Sequence, residues 1–303
     1  MQLTYFTKRQ RIAQWFKHHT FPLILSVCIF IYVLSLLLPV LWVLLTSFKT
    51  YKDFLEAPFG SIKELTFNNY VTVWKELKFM SAATDGGRRV VYIEEMLFNS
   101  LAFAFGLPIF SIIPICSVGY VMAKYKFRFN KVLMFLIIMV MTMPSIGGVS
   151  GELAMLKVLN IYNTYLGLAC LKFTFATTWT LIYYAAYEGI PWDYAEAVFI
   201  DGGNHFTVFF RIMLPFVRSF NITFFILMMM SHWVDHNLSL YYCPSMPGLA
   251  YGLFYAKFSL PAIQRETTSF AASIMLAIPT IIIYVSLSNV LMGEHMQIGG
   301  LKG

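Results

Sequence analysis

The sequence predicts an all-α integral membrane protein with six transmembrane helices. Only 12% of its 303 residues are charged, whereas 58% are hydrophobic, and the mean hydropathy is +0.67. A soluble domain of this size needs a polar surface that this composition does not supply. In addition, long apolar runs reach the length of about 20 residues that a helix needs to cross a bilayer.

Six apolar segments along the chain are the predicted spans. The fourth contains one charge, Lys172, and the sixth is interrupted only by Pro279. The third is apolar through Met143 and then meets the proline and glycines of "PSIGGVSG", where a helix is expected to break. In order, the predicted spans are residues 21–48, 96–123, 132–150, 165–187, 216–240 and 270–292.

Basic segments fix the predicted orientation. The N-terminal arm, residues 1–20, and the short loop "KYKFRFNK" each carry four Lys or Arg residues and no acid. Such segments stay in the cytoplasm, and the even number of spans between these two is consistent with that. The loop 49–95, with seven basic and seven acidic residues, is therefore predicted outside. Segment 188–215 and the tail 293–303 are predicted to be cytoplasmic, as both termini are.

The cytoplasmic segment 188–215 has the pattern of two short helices joined by a hinge. Pro191 and the acids after it suit the first turn of a helix. Gly202 and Gly203 are expected to end that helix, because glycine readily adopts the left-handed conformation. Asn204 is the expected N-cap of a second helix, whose apolar face is predicted to hold Phe206, Phe209, Phe210 and Met213.

The spacing "EAVFIDGGNHFTVFFRIMLP" resembles the "EAA" loop of binding-protein-dependent ABC importer permeases. That pattern is E-A-A, three residues, a glycine, nine residues, then I-x-L-P. Val198 replaces the second alanine, which is expected to loosen close packing but to leave the acid and the hinge in place. The residues that match the family's ATPase-coupling positions, together with the neighbouring acid Asp201, are Glu196, Ala197, Asp201, Gly202, Ile212, Leu214 and Pro215.

Four further short words occur in the order in which maltose-type inner-membrane permeases, the carbohydrate branch, carry similar ones. They are "NNY" at residues 68–70, "FNSL" at 98–101, "NTYLGL" at 163–168 and the terminal "GGLKG". This resemblance implies the type I ABC importer permease fold and a bacterial cytoplasmic membrane location. It also implies import of a carbohydrate, an oligosaccharide or glycan fragment, delivered by an extracytoplasmic solute-binding protein.

The same resemblance implies a second homologous permease chain, giving a heterodimer, and an ATPase dimer. The chain itself has no G-x-x-x-x-G-K-[ST] phosphate loop, so no cofactor is expected on it. ATP and Mg²⁺ are expected on the separate ATPase, which segment 188–215 would engage as a coupling helix. The sequence thus predicts a transport subunit and not an enzyme.

Polar residues near the outer ends of two spans are candidate substrate contacts, because such residues face protein or water and not lipid. They are Lys172, His232, Trp233, Asp235 and Asn237. The alternative is hydrogen bonding between helices and an interfacial aromatic belt. In the outer loop 241–267, the candidate contacts with the binding protein are Tyr251, Phe254 and Tyr255, and the alternative is a loop that rests on its own helices.

Other functional classes fit the sequence less well. The net charge of +7 is explained by the basic cytoplasmic segments, and no basic stripe alternates with aromatics as nucleic-acid binding requires. Four cysteines without CxxC or Cys/His spacing indicate no metal site. A secondary transporter would need acids within its spans, and a membrane-embedded glycan-processing enzyme would need a catalytic cluster; both remain alternatives.

Overall fold

The computed structural model describes residues 8–82, 88–143 and 147–293. Within these ranges the regular secondary structure is helical except for one hairpin, and two π-helical turns occur at Val208–Met213 and Leu238–Tyr242. The helices are α1 (Lys8–Ser47), α2 (Tyr51–Glu56), α3 (Asn68–Glu76), α4 (Ile93–Lys124), α5 (Asn130–Thr142), α6 (Gly148–Val158), α7 (Tyr165–Lys172), α8 (Thr178–Glu188), α9 (Asp193–Ile200), α10 (His205–Thr207), α11 (Leu214–Phe216), α12 (Arg218–Val234), α13 (Leu249–Ser259), α14 (Pro261–Gln264) and α15 (Glu266–Gly293). The strands are β1 (Lys78–Ala82) and β2 (Arg88–Tyr92).

Three described helices are long and apolar enough to cross a membrane alone. They contain the apolar stretches Pro22–Ser47, Ile93–Lys124 and Glu266–Ser286. A fourth candidate is a bent pair, His205–Phe216 followed by Arg218–Val234, with an angle of 68° between the parts. The 13-residue α5 is apolar but shorter than a full span. Part of "PSIGGVSG" and the two chain ends, with the "GGLKG" tail, lie outside the described residues.

The segment predicted as a single fourth span is divided into α7 and α8. The helix is interrupted between Lys172 and Thr178. Threonines are frequent there, and their hydroxyls can replace backbone partners and so favour a helix boundary. Thr180 illustrates this, because its hydroxyl donates a hydrogen bond to the backbone carbonyl of Phe175. The fifth predicted span also ends early, at Val234, before the π-helical turn.

A β-hairpin in the loop 49–95 corrects the all-α prediction. β1 and β2 pair in antiparallel register, with Phe79 opposite Val91. Both of these side chains are buried, whereas Met80 and Val90 next to them are exposed. This alternation is the period-2 pattern of a strand that buries one face, which the charge count of the loop had obscured.

The core of the membrane domain is built around α4, which packs against α8 on one side and α12 on the other. Tyr183 and Tyr187 of α8 are fully buried. The Tyr187 hydroxyl lies 2.9 Å from the Cys116 sulfur of α4, and the Tyr183 hydroxyl donates to the Asn221 side-chain oxygen of α12 at 2.6 Å. These contacts join three helices through buried polar groups that satisfy one another.

Two of the short words noted in the sequence meet in space and hold the loop before α13. The Asn99 side chain of "FNSL" donates to the Pro247 carbonyl at 3.0 Å and accepts from the Tyr165 hydroxyl of "NTYLGL" at 2.6 Å. The Asn163 side chain accepts from the Ser245 backbone amide at 3.0 Å. These words therefore encode hydrogen bonds between distant segments of the chain.

"NNY" has a similar role next to the end of α1. The Asn69 amide donates to the Ser47 carbonyl at 2.7 Å and to the Lys49 carbonyl at 2.8 Å. Lys49 is buried, and its ammonium donates to the carbonyls of Ala57, at 3.1 Å, and Gly60, at 2.6 Å. A lysine of the chain thus occupies a site formed by backbone oxygens and closes the turn after α2.

Candidate functional site

The segment between α8 and α12 folds as two helical arms joined by a tight turn. The first arm is α9, and the second runs through α10, the π-helical turn 208–213 and α11. Pro215 lies in the first turn of α11, a position that tolerates proline because the backbone N–H that proline lacks has no partner within the helix there. The sequence prediction of a helix–turn–helix in this segment is confirmed.

The turn has the hydrogen bonds of a Schellman motif. The Gly202 amide donates to the Phe199 carbonyl at 3.0 Å, and the Gly203 amide donates to the Val198 carbonyl at 2.8 Å. Gly202 has φ +79°, as predicted for the left-handed residue. Gly203 is required for a different reason: a Cβ atom on it would lie 2.4 Å from Cγ1 of Val198. Val198, which departs from the family's alanine, therefore packs directly against the hinge.

Asn204 is the N-cap of the second arm, as predicted. Its side-chain oxygen accepts hydrogen bonds from the Thr207 backbone amide at 2.9 Å and from the Thr207 hydroxyl at 3.1 Å. The cap satisfies an amide that has no partner within the helix. The two arms consequently start and end at defined residues, which fixes the geometry of the hinge.

The second arm is attached to the membrane helices through its buried side. Val208 and Met213 are fully buried in the same cluster as Tyr120 and Tyr187. The Tyr125 hydroxyl lies 2.8 Å from Nδ1 of His205. A displacement of the arm would therefore push on α4 and α8.

The predicted apolar face of the second arm is divided between two sides. Phe209 and Met213 point into the protein, whereas Phe206 is 74% exposed and Phe210 is also exposed. The reason is that the π-helical turn has more residues per turn than an α-helix and so shifts side chains around the axis.

The outward side of segment 188–215 combines exposed acidic side chains with exposed apolar side chains. Glu196, Ala197, Asp201 and Pro215 are exposed, while Ile212 and Leu214 are partly buried. Ile200 is 86% exposed, a residue that the sequence reasoning did not single out. Among the described residues, no ion pair involves Glu196. A large exposed isoleucine beside a free carboxylate is typical of a surface that another protein covers.

An apolar groove of about 560 Å3 lies between this segment and α4. Tyr120 and Tyr125 form one wall, and His205, Phe206 and Phe210 form the other. The groove continues the exposed surface of the second arm toward the membrane helices.

The outer polar residues separate into two groups. His232 is only 6% exposed, and neither of its ring nitrogens has a hydrogen-bond partner in the part of the chain that the structure describes. The Lys172 ammonium and the Asp235 carboxylate interact electrostatically with the His232 ring. Trp233 is also buried but has a hydrogen-bond partner, because its indole donates to the Leu276 carbonyl of α15 at 2.9 Å. Three of the five predicted residues thus come together, and Trp233 packs between helices.

Asp235 and Asn237 also have local roles. The Asp235 carboxylate accepts from the Asn237 backbone amide at 2.9 Å, which shapes the turn after α12, while the Asn237 side chain is exposed. Close by, the Tyr242 hydroxyl donates a hydrogen bond to the Glu152 carboxylate. Burial and this carboxylate raise the pKa of the Tyr242 hydroxyl, so it remains the donor at neutral pH.

The three aromatic residues of the outer segment lie on a helix, α13, and not in an open loop. A run of residues without charge or proline between Leu249 and Tyr255 explains the helix. The rings of Tyr251 and Tyr255 pack on Phe79 of β1, with centroids 5.1 and 4.9 Å apart. Phe254 is exposed and stacks on His236 at 4.6 Å. Only Phe254 of the three is therefore available at the surface.

Comparison with known proteins shows similarity to a family of transport proteins and to several permease proteins. The family model described as "Binding-protein-dependent transport system inner membrane component" matches residues 115–293, more than half of the chain. The chain is 27% identical over 183 residues to the diacetylchitobiose uptake system permease protein NgcG of Streptomyces coelicolor, covering 60% of this chain and 56% of that protein. It is 25% identical over 273 residues to the trehalose transport system permease protein SugB of Mycobacterium tuberculosis, covering 88% and 93%.

A third relative and two solved structures extend the comparison. The arabinooligosaccharides transport system permease protein AraQ of Bacillus subtilis is 22% identical over 290 residues, covering 92% of this chain and 96% of that protein. A bacterial ABC transporter that imports the acidic polysaccharide alginate contains a chain with TM-score 0.72 and 18% identity, covering 95% of this chain and 99% of that one. The same kind of transporter with a pentasaccharide-bound periplasmic protein gives TM-score 0.61 and 14% identity, covering 95% and 97%. These structures show a common fold.

Proposed function

Because this chain belongs to the family of binding-protein-dependent transport system inner membrane components, we propose that it is the permease subunit of an ATP-driven importer of a carbohydrate, specifically an oligosaccharide. The printed functions of the relatives support the cargo class, since they concern diacetylchitobiose, trehalose and arabinooligosaccharides. The chain spans little more than half of NgcG but most of SugB and AraQ.

The proposed topology has six spans, 21–48, 96–123, 132–150, 165–187, 216–240 and 270–292, with both termini in the cytoplasm of a bacterium. The long apolar helices α1, α4 and α15 and the bent α12 support four of them. The basic residues of the N-terminal arm and of the loop 124–131 support the orientation. In this topology segment 188–215 faces the cytoplasm and the β-hairpin and α13 face outward.

Segment 188–215 is proposed to couple the permease to a separate ATPase dimer, where ATP and Mg²⁺ would bind. The observation that carries this proposal is the exposed carboxylate of Glu196 beside the bare side chain of Ile200, on an arm whose other side is packed on α4 and α8. Such an arm can receive force on its outer surface and pass it to the spans. Transport would then be a shift between inward- and outward-facing states.

The remaining partners are proposed from the family. A second homologous permease would complete a heterodimer, and an extracytoplasmic solute-binding protein would deliver the sugar. Exposed Phe254 is the best-placed contact for that protein. Lys172, His232 and Asp235 are proposed to line the outer part of the sugar pathway, where the two His232 ring nitrogens, which have no partner among the described residues, can bind hydroxyls.

The coupling proposal is tested with the charge reversal Glu196→Lys. The matched control is Asp193→Lys, another exposed acid of the first turn of α9. Both variants are expected in the membrane at the wild-type level, but only Glu196→Lys should lose the copurifying ATPase and the uptake of labelled oligosaccharides. Normal copurification and uptake in Glu196→Lys would contradict the coupling role.

The energy source is tested separately. Uptake into cells that retain an ion gradient but are depleted of ATP should stop. If uptake continued under these conditions and stopped when the gradient was collapsed, the chain would be a secondary transporter.

A further inference from the structure

A polar cavity of about 360 Å3 lies between the segment that follows α1, helix α3 and the start of α15. Its walls include Thr50, Tyr51, Asn68, Thr72 and Thr268, with Arg265 at the junction of α14 and α15. It is distant in the chain from the coupling segment and shares no residue with the outer polar cluster. Its volume suits one small group, at the lower end of ligand sites.

Aromatic side chains place this cavity at the depth of the membrane surface. Trp42, near the end of α1, stacks on Phe59 with ring centroids 5.2 Å apart and contacts Phe270 of α15 at 5.3 Å. Leu41 and Leu45 on the same turns of α1 are exposed, as lipid-facing residues are. Tryptophan and its aromatic neighbours collect where the hydrocarbon meets the headgroups, so the cavity adjoins the headgroup layer.

The cavity carries positive charge without a counter-charge. The Arg265 guanidinium lies over the Tyr51 ring, 5.4 Å from its centroid, and makes no ion pair with any described residue. None of the described residues that line the cavity is acidic, and the adjacent Glu266 is exposed and not part of the wall. A stacked guanidinium keeps its N–H edge free to donate two parallel hydrogen bonds to an oxyanion.

A buried threonine forms part of the wall. Thr268 is only 4% exposed and lines the cavity. It lies in the first turn of α15, a 28-residue helix whose N-terminal end attracts negative charge. The side chains of Asn68 and Thr72, on α3, also line the cavity.

We propose that this cavity binds the phosphate headgroup of an anionic phospholipid of the outer leaflet, phosphatidylglycerol being the simplest example. Arg265 would hold the phosphate, Thr268 would donate its hydroxyl to a phosphate oxygen, and Asn68 and Thr72 would bind the glycerol hydroxyls. The acyl chains would then lie along the exposed side of α1. The inference concerns lipid and does not depend on which cargo the chain transports.

The test is a lipid titration of the purified full chain, with the subunits that copurify with it, followed by native mass spectrometry. Phosphatidylglycerol and phosphatidylcholine of identical chain length are the probes. Arg265→Gln should weaken phosphatidylglycerol binding about tenfold, the value of one charge-assisted hydrogen-bonded pair. Thr268→Val should weaken it less, and Arg128→Gln, the same change at an exposed arginine elsewhere, should leave it unaltered.

Each result decides between lipid and another occupant. Preferential retention of phosphatidylglycerol, lost in Arg265→Gln and unaffected by millimolar inorganic phosphate, would support the proposal. Equal binding of both lipids, or an equal loss in Arg128→Gln, would overturn it. Displacement of the lipid by inorganic phosphate would identify a site for free phosphate instead and would also overturn the lipid assignment.

Discussion

The hinge of the coupling segment is predicted to fail when Gly203 becomes alanine. The new Cβ would lie 2.4 Å from Cγ1 and 2.9 Å from the carbonyl oxygen of Val198. That oxygen accepts the Gly203 amide, so relieving the overlap also lengthens the bond that closes the turn. Overpacking of this kind costs about 1–3 kcal/mol. Gly202→Ala meets open space and should cost only the left-handed strain, about 1–2 kcal/mol.

Amide hydrogen exchange of the full chain, read out by mass spectrometry on the peptide that covers residues 195–208, measures this loss locally. A destabilisation of about 1–3 kcal/mol corresponds to exchange that is about 5- to 150-fold faster. Val198→Ala removes the overlapping methyl group, so the double variant Val198→Ala/Gly203→Ala should exchange more slowly than Gly203→Ala alone. Unchanged exchange in Gly203→Ala, or no recovery in the double variant, would refute the packing argument.

Three further predictions follow from contacts described above. Asn204→Ala should destabilise the second arm by about 1 kcal/mol through loss of its cap, measured by the same exchange assay, whereas Asn204→Ser should be close to wild type. Lys49→Met should make the turn after α2 accessible to protease added from the outside, because the carbonyls of that turn lose their hydrogen bonds from the Lys49 ammonium. Lys52→Met, at an exposed site, should not have this effect. Lys172→Met should reduce uptake of labelled oligosaccharide without changing ATPase copurification, and Lys157→Met at an exposed site should leave both unchanged; equal uptake in the two variants would exclude Lys172 from the pathway.

Local chemistry made the coupling segment predictable. Gly202, Gly203 and Asn204 each have one conformational role that depends on their own residue type and near neighbours. The turn and the second cap were therefore correct from sequence alone. The long uncharged run of α1 was equally informative, because hydrophobic length is a property of consecutive residues.

Features that depend on distant neighbours were less predictable. Trp233 resembled a sugar-binding aromatic, but its indole donates to a carbonyl of α15, a partner far along the chain. The burial of Met213 and the exposure of Phe210 follow from the π-helical turn, which has no simple sequence pattern. The hairpin was missed because each strand buries only one face, so that buried Val91 lies between the exposed residues Val90 and Tyr92.

The second arm and α12 meet at an angle of 68°, so a rotation of the arm as a rigid body would tilt α12. At a rise of 1.5 Å per residue, α12 is about 25 Å long, so tilting a rigid arm by about 10° would move the far end of the helix by about 4 Å. The buried ring of His232 lies near that far end. A small rotation imposed on the second arm would therefore reappear at the far end of α12 as a displacement comparable to the width of a water molecule or a hydroxyl group.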